Sequence, residues 1–185
     1  TRPLKVNSII ARRITKMIKF AKLHEDAKIP NKKSEDAGYD LWACFDEDFI
    51  EIKPNESVLI HTGICTWFPK GYVMILKERS STGKYGISIR SGVIDWSYSG
   101  DIGVCWTNCS NQTIYISKLP EEELYNKVHR EPGSCTVYSY NKAIAQGVVV
   151  PVFDGKIVEV SPDEIHQKGS DRGTNGYGST NKNER

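Results

Sequence analysis

The chain has 185 residues, of which 38% are hydrophobic and 26% charged, a balance typical of one soluble globular domain with a sizeable core. It has no run of about 18 apolar residues, so we expect no membrane-spanning helix and no membrane association. The net charge of +2 arises from residues 1–16, which carry five basic residues and no acid. The rest of the chain is acidic and lacks the clustered positive charge of a general nucleic-acid binder, so we expect no stable nucleic-acid binding.

Three regions follow from composition along the chain. Residues 1–16 precede a Met17 that resembles a natural start, so we interpret them as a basic leader, vector-derived or disordered. We expect the folded domain over 17–166 and a flexible arm over 167–185, because the arm is polar and glycine-rich without apolar periodicity. Five scattered cysteines without a Cys-x-x-Cys pair favour free thiols in a reducing cytoplasm over a zinc site.

Short strands dominate the pattern of the folded domain. Glycine, proline, asparagine and aspartate separate them at a spacing of about 8–12 residues, which is typical of an antiparallel sandwich or barrel. The region 58–68 is compatible with two strands or with one bent strand. The predicted strands lie at 18–23, 58–68, 72–76, 87–94, 102–106, 113–116, 136–140 and 143–153.

One short helix interrupts this pattern. Pro120 is followed by three glutamates, and negative charge is favoured at the N-terminal end of the helix dipole. The surrounding segment 117–134 is polar and ends at a Pro-Gly pair. We therefore predict an inserted surface loop that contains the helix.

Three polar segments contain residue types that bind phosphate or metal ions. Arg79 stands beside serines and a glycine in 78–84, and guanidinium, hydroxyl and amide groups all donate hydrogen bonds to phosphate. The segment 171–180 offers an arginine, hydroxyls, three glycines and the Tyr177 ring, which could stack on a base. The acids in 34–41 could form the outer shell of a magnesium ion. Taken singly, 78–84 and 34–41 are better explained as a polar loop and a solvated turn. A disordered terminus is the usual state of a segment such as 171–180, but its spacing of arginine, aromatic ring and hydroxyls favours a binding role.

A fourth segment, 92–104, places chemistry at a turn. An apolar triplet runs into Asp95, and Tyr98 and Gly100 precede a second apolar run. This pattern predicts a strand end, a tight hairpin and a return strand, with the carboxylate and the tyrosine at the mouth of the turn.

Taken in order, and together with a fifth segment over 143–146, these segments resemble the five motifs of the homotrimeric dUTPase family over roughly residues 17–182. The resemblance implies an all-β, jelly-roll-like fold and the hydrolysis of dUTP to dUMP and pyrophosphate. It also implies Mg²⁺ as cofactor and a homotrimer with active sites at subunit interfaces. The matching segments are 36–41, 79–81, 92–100, 143–146 and 172–180.

The resemblance also implies residue roles. Asp95 would take a proton from the attacking water, Tyr98 would pack under the deoxyribose, and Asp40 would hold the metal through a water. The main chain of the predicted hairpin would read the uracil. The residues implied in substrate binding are Arg79, Ser80, Ser81, Gly92, Tyr98, Ile102, Gly103, Gln146, Arg172, Tyr177, Gly178, Ser179 and Thr180.

Two other interpretations remain open. A dCTP deaminase resembles dUTPase in fold, but it needs a carboxylate near the base, and the strand 102–107 contains no glutamate. The other alternative is a trimeric module that binds regulatory partners through the loop 117–134. The sequence also departs from the family pattern, since Ala143 stands where members often have arginine and Ser81 where many have glycine.

Overall fold

The computed structural model of the protein describes residues 17–90, 92–166 and 169. Two compact units divide the chain, one extending to Phe153 and the other beginning at Asp154. The helices are α1 (Ser80–Lys84), α2 (Glu121–Val128) and, in the second unit, α3 (Pro162–His166). The strands are β1 (Lys19–Lys22), β2 (Tyr39–Leu41), β3 (Phe49–Ile52), β4 (Ser57–His61), β5 (Ile64–Trp67), β6 (Tyr72–Lys77), β7 (Ile87–Ile89), β8 (Val93–Asp95), β9 (Gly103–Asn108), β10 (Ile114–Ser117), β11 (Thr136–Ser139) and β12 (Ala145–Pro151).

The strands of the first unit form small sheets with the orders β1–β5, β11–β10–β3, β2–β12–β6–β8 and β4–β9–β7. The prediction of an all-β fold is therefore confirmed. The expectation of purely antiparallel pairing is wrong at one place, because β10 and β11 pair in parallel. Parallel neighbours need a long crossover connection, and the segment that contains α2 supplies it.

Strand boundaries differ from the prediction in three regions. The region 58–68 forms two strands, β4 and β5, and the predicted single strand 87–94 is also two, β7 and β8. These last two strands belong to different sheets. The third difference lies over 39–52, where β2 and β3 form although neither is among the predicted strands.

The core positions the start of β12. Trp106 and Tyr138 are fully buried, and their rings meet edge to face with centroids 5.2 Å apart. The Trp106 indole Nε1 donates to the carbonyl of Ile144 at 2.9 Å, and the Tyr138 hydroxyl donates to the carbonyl of Ala143 at 2.6 Å. These two bonds hold the backbone immediately before Gln146.

The inserted segment 117–134 is more than a solvated loop. Its helix α2 follows Pro120 and has three glutamates in its first turn, as predicted. Leu124 of α2 is fully buried in a small apolar cluster with Tyr115 and Cys135. This second cluster anchors the helix to β10 and to the residue before β11.

The second unit is described from Asp154 to His166 and at Gly169. Most of its apolar side chains are exposed, Ile157 completely and Val158 to 73%, whereas Val160 is half-buried. All five cysteines lie in the first unit and carry free thiols, as the sequence predicts. Within the described residues, no helix is long and apolar enough to cross a membrane.

Candidate active site

Strand register brings distant segments together at one end of the sheet β2–β12–β6. Gln146 of β12 lies opposite Asp40 of β2 on one side and opposite Lys77 of β6 on the other. Directly opposite residues of antiparallel strands place their side chains on the same face. Since β6 ends at Lys77, the chain then carries Arg79 to this end of the sheet.

A pocket of about 400 Å³, which we call the polar pocket, opens at this place. It contains residues from three segments that are far apart in sequence. Its lining residues are Asp36, Ala37, Gly38, Asp40, Arg79, Ser80, Ser81 and Gln146. The structure thus brings together Asp40 and four of the predicted substrate-binding residues.

An ion pair organises the polar pocket. Arg79 Nε lies 2.9 Å from Asp40 Oδ1, and Arg79 Nη2 donates to Asp40 Oδ2 at 3.2 Å. Each side chain is about one-third exposed, at 33% and 30%. Because a guanidinium has five N–H donors, Arg79 can hold Asp40 and still donate to an anion.

The amide of Gln146 is also held in place. Its Nε2 donates to the carbonyl of Glu78 at 2.8 Å. A Cβ at Gly38 would lie 2.7 Å from Gln146 Oε1, so a larger residue there would displace the amide. Gly38 therefore serves the pocket by leaving space for Gln146.

The segment after Arg79 is not the loop that the sequence predicts. Ser80 and Ser81 begin the one-turn helix α1, and Thr82 fixes it. The Thr82 hydroxyl accepts from the Arg79 amide at 3.0 Å and donates to the Arg79 carbonyl at 2.9 Å. Thr82 is fully buried, whereas both serines are exposed and line the pocket. The threonine three residues after Arg79 is the local signal for this helix that sequence reasoning missed, although its burial appears only in the structure.

Glu78, the residue immediately before Arg79, is a charged neighbour of helix α1. Burial of its carboxyl favours the neutral form, but the hydrogen bond from the Ile89 amide at 2.8 Å and the Lys77 ammonium outweigh it, so the pKa of Glu78 is lowered. The pKa of Tyr138 is raised, mainly by burial, although the nearby Arg79 opposes this shift. Both groups keep their ordinary charge at neutral pH.

The predicted hairpin over 92–104 is wrong in its pairing. β8 pairs with β6, with Ile94 opposite Met74, whereas β9 pairs with β4 and β7. The physical reason is burial, because Ile94 packs against the core beside the fully buried Met74. The pairing of β7 with β9 extends to the hydrogen bond from the Arg90 amide to the Cys105 carbonyl. The chain then enters β8, which belongs to the sheet β2–β12–β6–β8.

A cleft opens between β8 and β9, which belong to different sheets. This cleft, which we call the strand cleft, has a volume of about 350 Å³ and contains both predicted chemical groups of the turn. Tyr98 donates through its hydroxyl to the carbonyl of Asp101 at 2.8 Å, and its amide donates to the carbonyl of Asp95 at 3.0 Å. The lining residues are Leu59, His61, Val93, Ile94, Asp95, Tyr98, Asp101 and Gly103.

Sequence reasoning missed two polar residues of the strand cleft, His61 and Asp101. His61 Nδ1 lies 2.8 Å from Asp101 Oδ2. His61 ends β4 and lies opposite Gly103 of β9. This pairing joins residues about forty positions apart, so only the register, and no local pattern, could have pointed to His61.

The remaining predicted residues are placed as follows. Gly92 is exposed, and its carbonyl accepts from the Leu76 amide. Ile102 is fully buried, and its backbone groups bond to Ile64 and Thr62, so the structure brings it to neither pocket. The five predicted residues of the arm lie outside the described residues; they are Arg172, Tyr177, Gly178, Ser179 and Thr180.

Within one chain the two pockets are separate. They share no lining residue. Asp95 lies opposite Val73 of β6, and Gln146 lies opposite Lys77, four residues further along the same strand. This offset is roughly 13 Å along the strand and about 10 Å across two strand spacings, so the Cα atoms of Asp95 and Gln146 lie about 16 Å apart.

Known proteins resemble this chain in both sequence and fold. The dUTPase family model matches residues 25–119. The chain is 34% identical to the deoxyuridine 5'-triphosphate nucleotidohydrolase of Nautilia profundicola over 89% of its own length and 99% of that protein. It is 32% identical to the fowlpox virus protein of the same name, over 86% and 93% of the two chains.

A solved structure extends the likeness to three dimensions. The dUTPase of Staphylococcus bacteriophage 80alpha with dUPNHPP superposes with a TM-score of 0.68 at 26% identity, over 89% of this chain and 98% of that one. The residues matched by the family model include the whole lining of the strand cleft and that of the polar pocket except Gln146. The chain therefore belongs to the dUTPase family.

Proposed function

We propose that the protein hydrolyses dUTP to dUMP and pyrophosphate. The observation that carries this proposal is the polar pocket, where Arg79, two serine hydroxyls and the Gln146 amide surround Asp40. Such a set of donors suits a polyphosphate, because phosphate oxygens accept from guanidinium, hydroxyl and amide groups together. The names and activities of the relatives support the same substrate.

Asp95 is the base of the proposed reaction. It is exposed at the end of β8, and its carboxylate lines the strand cleft. There it accepts a proton from a water aligned with the α-phosphorus while the water oxygen bonds to that phosphorus. The bond from the α-phosphorus to the bridging oxygen breaks, and pyrophosphate leaves. Phosphoryl transfer of this kind depends mainly on positioning and charge neutralisation.

The strand cleft is also the proposed binding place of the nucleoside. β8 is an edge strand of its sheet, and an edge presents backbone N–H and C=O groups that can pair with the edge of a base. We assign uracil to this edge, between the backbone near Gly92 and that at Gly103, and the sugar to Tyr98. By the family resemblance, Arg172, Ser179 and Thr180 of the arm clasp the γ-phosphate and Tyr177 covers the uracil.

The carboxylate of Asp40 in the polar pocket fits a magnesium ion that is held through water. Each oxygen of Asp40 accepts one bond from Arg79, and a carboxylate has about four acceptor positions, so Asp40 can also accept from metal-bound water. Magnesium usually keeps several waters and takes few protein carboxylates. When bound, it would neutralise phosphate charge and polarise the reacting phosphorus.

We infer a homotrimer with sites at subunit interfaces, as the family resemblance implies, and the separation of the two pockets supports a site that is shared between copies. An α-phosphate beside Asp95 is about 16 Å from Gln146 of the same chain by the strand spacings, too far for one set of phosphate contacts. A polar pocket from a second copy resolves this distance. The exposed Phe153 and Ile157, at 92% and 100%, supply apolar surface for such an association.

The proposal is tested by measuring pyrophosphate release from dUTP, dCTP, dTTP and UTP with and without magnesium. We expect release from dUTP alone and only with the metal. Asp95→Asn should keep nucleotide binding and lose turnover by orders of magnitude, since asparagine cannot take the proton. Ammonia release from dCTP would support the deaminase interpretation instead, and full turnover by Asp95→Asn would remove Asp95 from the role of base.

A further inference from the structure

We infer that His61 is a positioning residue that acts through Asp101 on the Tyr98 ring and so sets the preference for deoxyribose over ribose. The inference rests on the proposed function, since it concerns how that site selects its sugar. It adds a residue of β4, a strand that contributes nothing to the sequence motifs of the site.

The His61 imidazole holds the carboxylate of Asp101. Its Nδ1 lies 2.8 Å from Oδ2, whereas the bonds to Oδ1 from the Thr62 hydroxyl and the Ile64 amide are longer, both 3.3 Å. The Asp101 side chain is 26% exposed, so its contacts are partly shielded from water. The bond from His61 is therefore the tightest described restraint on this carboxylate.

Asp101 in turn holds Tyr98. The Tyr98 hydroxyl donates to the main-chain carbonyl of Asp101 at 2.8 Å. The ring is 45% exposed and lies over Gly100, where a Cβ would be only 2.6 Å from its hydroxyl. Because nearly half of the Tyr98 surface is exposed, we expect this hydrogen bond to contribute to the position of the ring. Displacement of Asp101 would consequently move the surface against which the sugar packs.

The expected effect is on selectivity rather than on the chemical step. The Asp95 carboxylate has no described bond to His61 or Asp101, so its role as base does not depend on them. A looser Tyr98 would instead weaken dUTP binding and leave more room for a 2′-hydroxyl. Loss of the donor at Nδ1 should therefore raise KM for dUTP and lower the dUTP-to-UTP ratio of kcat/KM, with kcat nearly unchanged.

Two substitutions of similar polarity separate the donor position from mere side-chain loss. In His61→Asn the amide nitrogen can occupy the place of Nδ1, whereas in His61→Gln it reaches only the place of Nε2. His24→Gln is the matched control, because His24 pairs with Asp46 at 3.6 Å and lines neither pocket. Thermal unfolding of all three variants checks that the fold is retained.

We expect His61→Gln to lower the dUTP-to-UTP ratio by roughly two- to fivefold, the range for a pair this exposed, and His61→Asn to restore it. An unchanged ratio in His61→Gln, or an equal loss in both His61 variants, would overturn the inference. If the wild type released no pyrophosphate, the proposed function would fail separately. Equilibrium binding of dUMP and UMP would then test the same preference without turnover, and equal loss or retention by both variants would again overturn it.

Discussion

Gly100→Ala should impair substrate use while leaving the fold nearly intact. A Cβ at position 100 would lie 2.6 Å from the Tyr98 hydroxyl oxygen and 2.7 Å from Cζ. Ordinary contacts begin near 3.4 Å, so the Tyr98 hydroxyl must move by about 0.8 Å to reach one. That shift breaks the 2.8 Å bond from the Tyr98 hydroxyl to Asp101.

The substitution should lower both the stability and the activity, each by a modest amount. The ring is 45% exposed and can move into solvent, so we expect about 0.5–1.5 kcal/mol of destabilisation, the net worth of one hydrogen bond. The displaced ring should lower kcat/KM for dUTP by about tenfold, which corresponds to about 1.4 kcal/mol of lost transition-state binding.

Steady-state pyrophosphate release and urea unfolding measure these two effects. Gly83→Ala is the control, since a Cβ there meets nothing within 4 Å and alanine is favoured in helix α1. It should stabilise slightly and keep the dUTP-to-UTP ratio of the wild type. Wild-type kcat/KM in Gly100→Ala would refute the placement of Tyr98 against the sugar.

Three further predictions concern the scaffold and the arm. Trp106→Phe should lower the free energy of unfolding by about 1–3 kcal/mol in urea melts, because it leaves the buried Ile144 carbonyl without its donor and opens a cavity; an unchanged midpoint would contradict this. Because the pKa of Glu78 is lower in the folded than in the unfolded protein, its ionised carboxylate stabilises the fold at pH values above the unfolded-state pKa. This contribution is lost as the pH falls through the folded-state pKa. Between roughly pH 5 and pH 3, Glu78→Gln should therefore lose less stability than the wild type. Deletion of residues 171–185 should cripple turnover while the thermal midpoint of the body stays the same, and a fully active truncated protein would exclude the arm from the site.

Local patterns in the sequence predict much of this molecule. Alternating apolar residues and turn residues locate most strands, and Pro120 with its glutamates locates α2. The segments around Asp40, Arg79 and Gln146 were each ambiguous alone, and only their order along the chain identified them. The structure brings these three residues into one pocket.

Features that depend on register could not be predicted. The apolar run before Asp95 suggests a hairpin. In the structure β8 instead pairs with β6, because Ile94 is better buried beside Met74. The pair of His61 and Asp101 likewise depends on β4 meeting β9. Such pairings are tertiary choices between alternatives of similar local propensity, so no window of the sequence contains them.

The most direct test of the account mixes two inactive variants. Asp95→Asn retains the polar pocket and Arg79→Ala retains the strand cleft, so neither alone should release pyrophosphate from dUTP at an appreciable rate. If each site combines the strand cleft of one copy with the polar pocket of another, unfolding and refolding the two variants together should recover a substantial fraction of wild-type activity. Refolded mixtures that form oligomers but stay as inactive as the separate variants would contradict a site built from two copies.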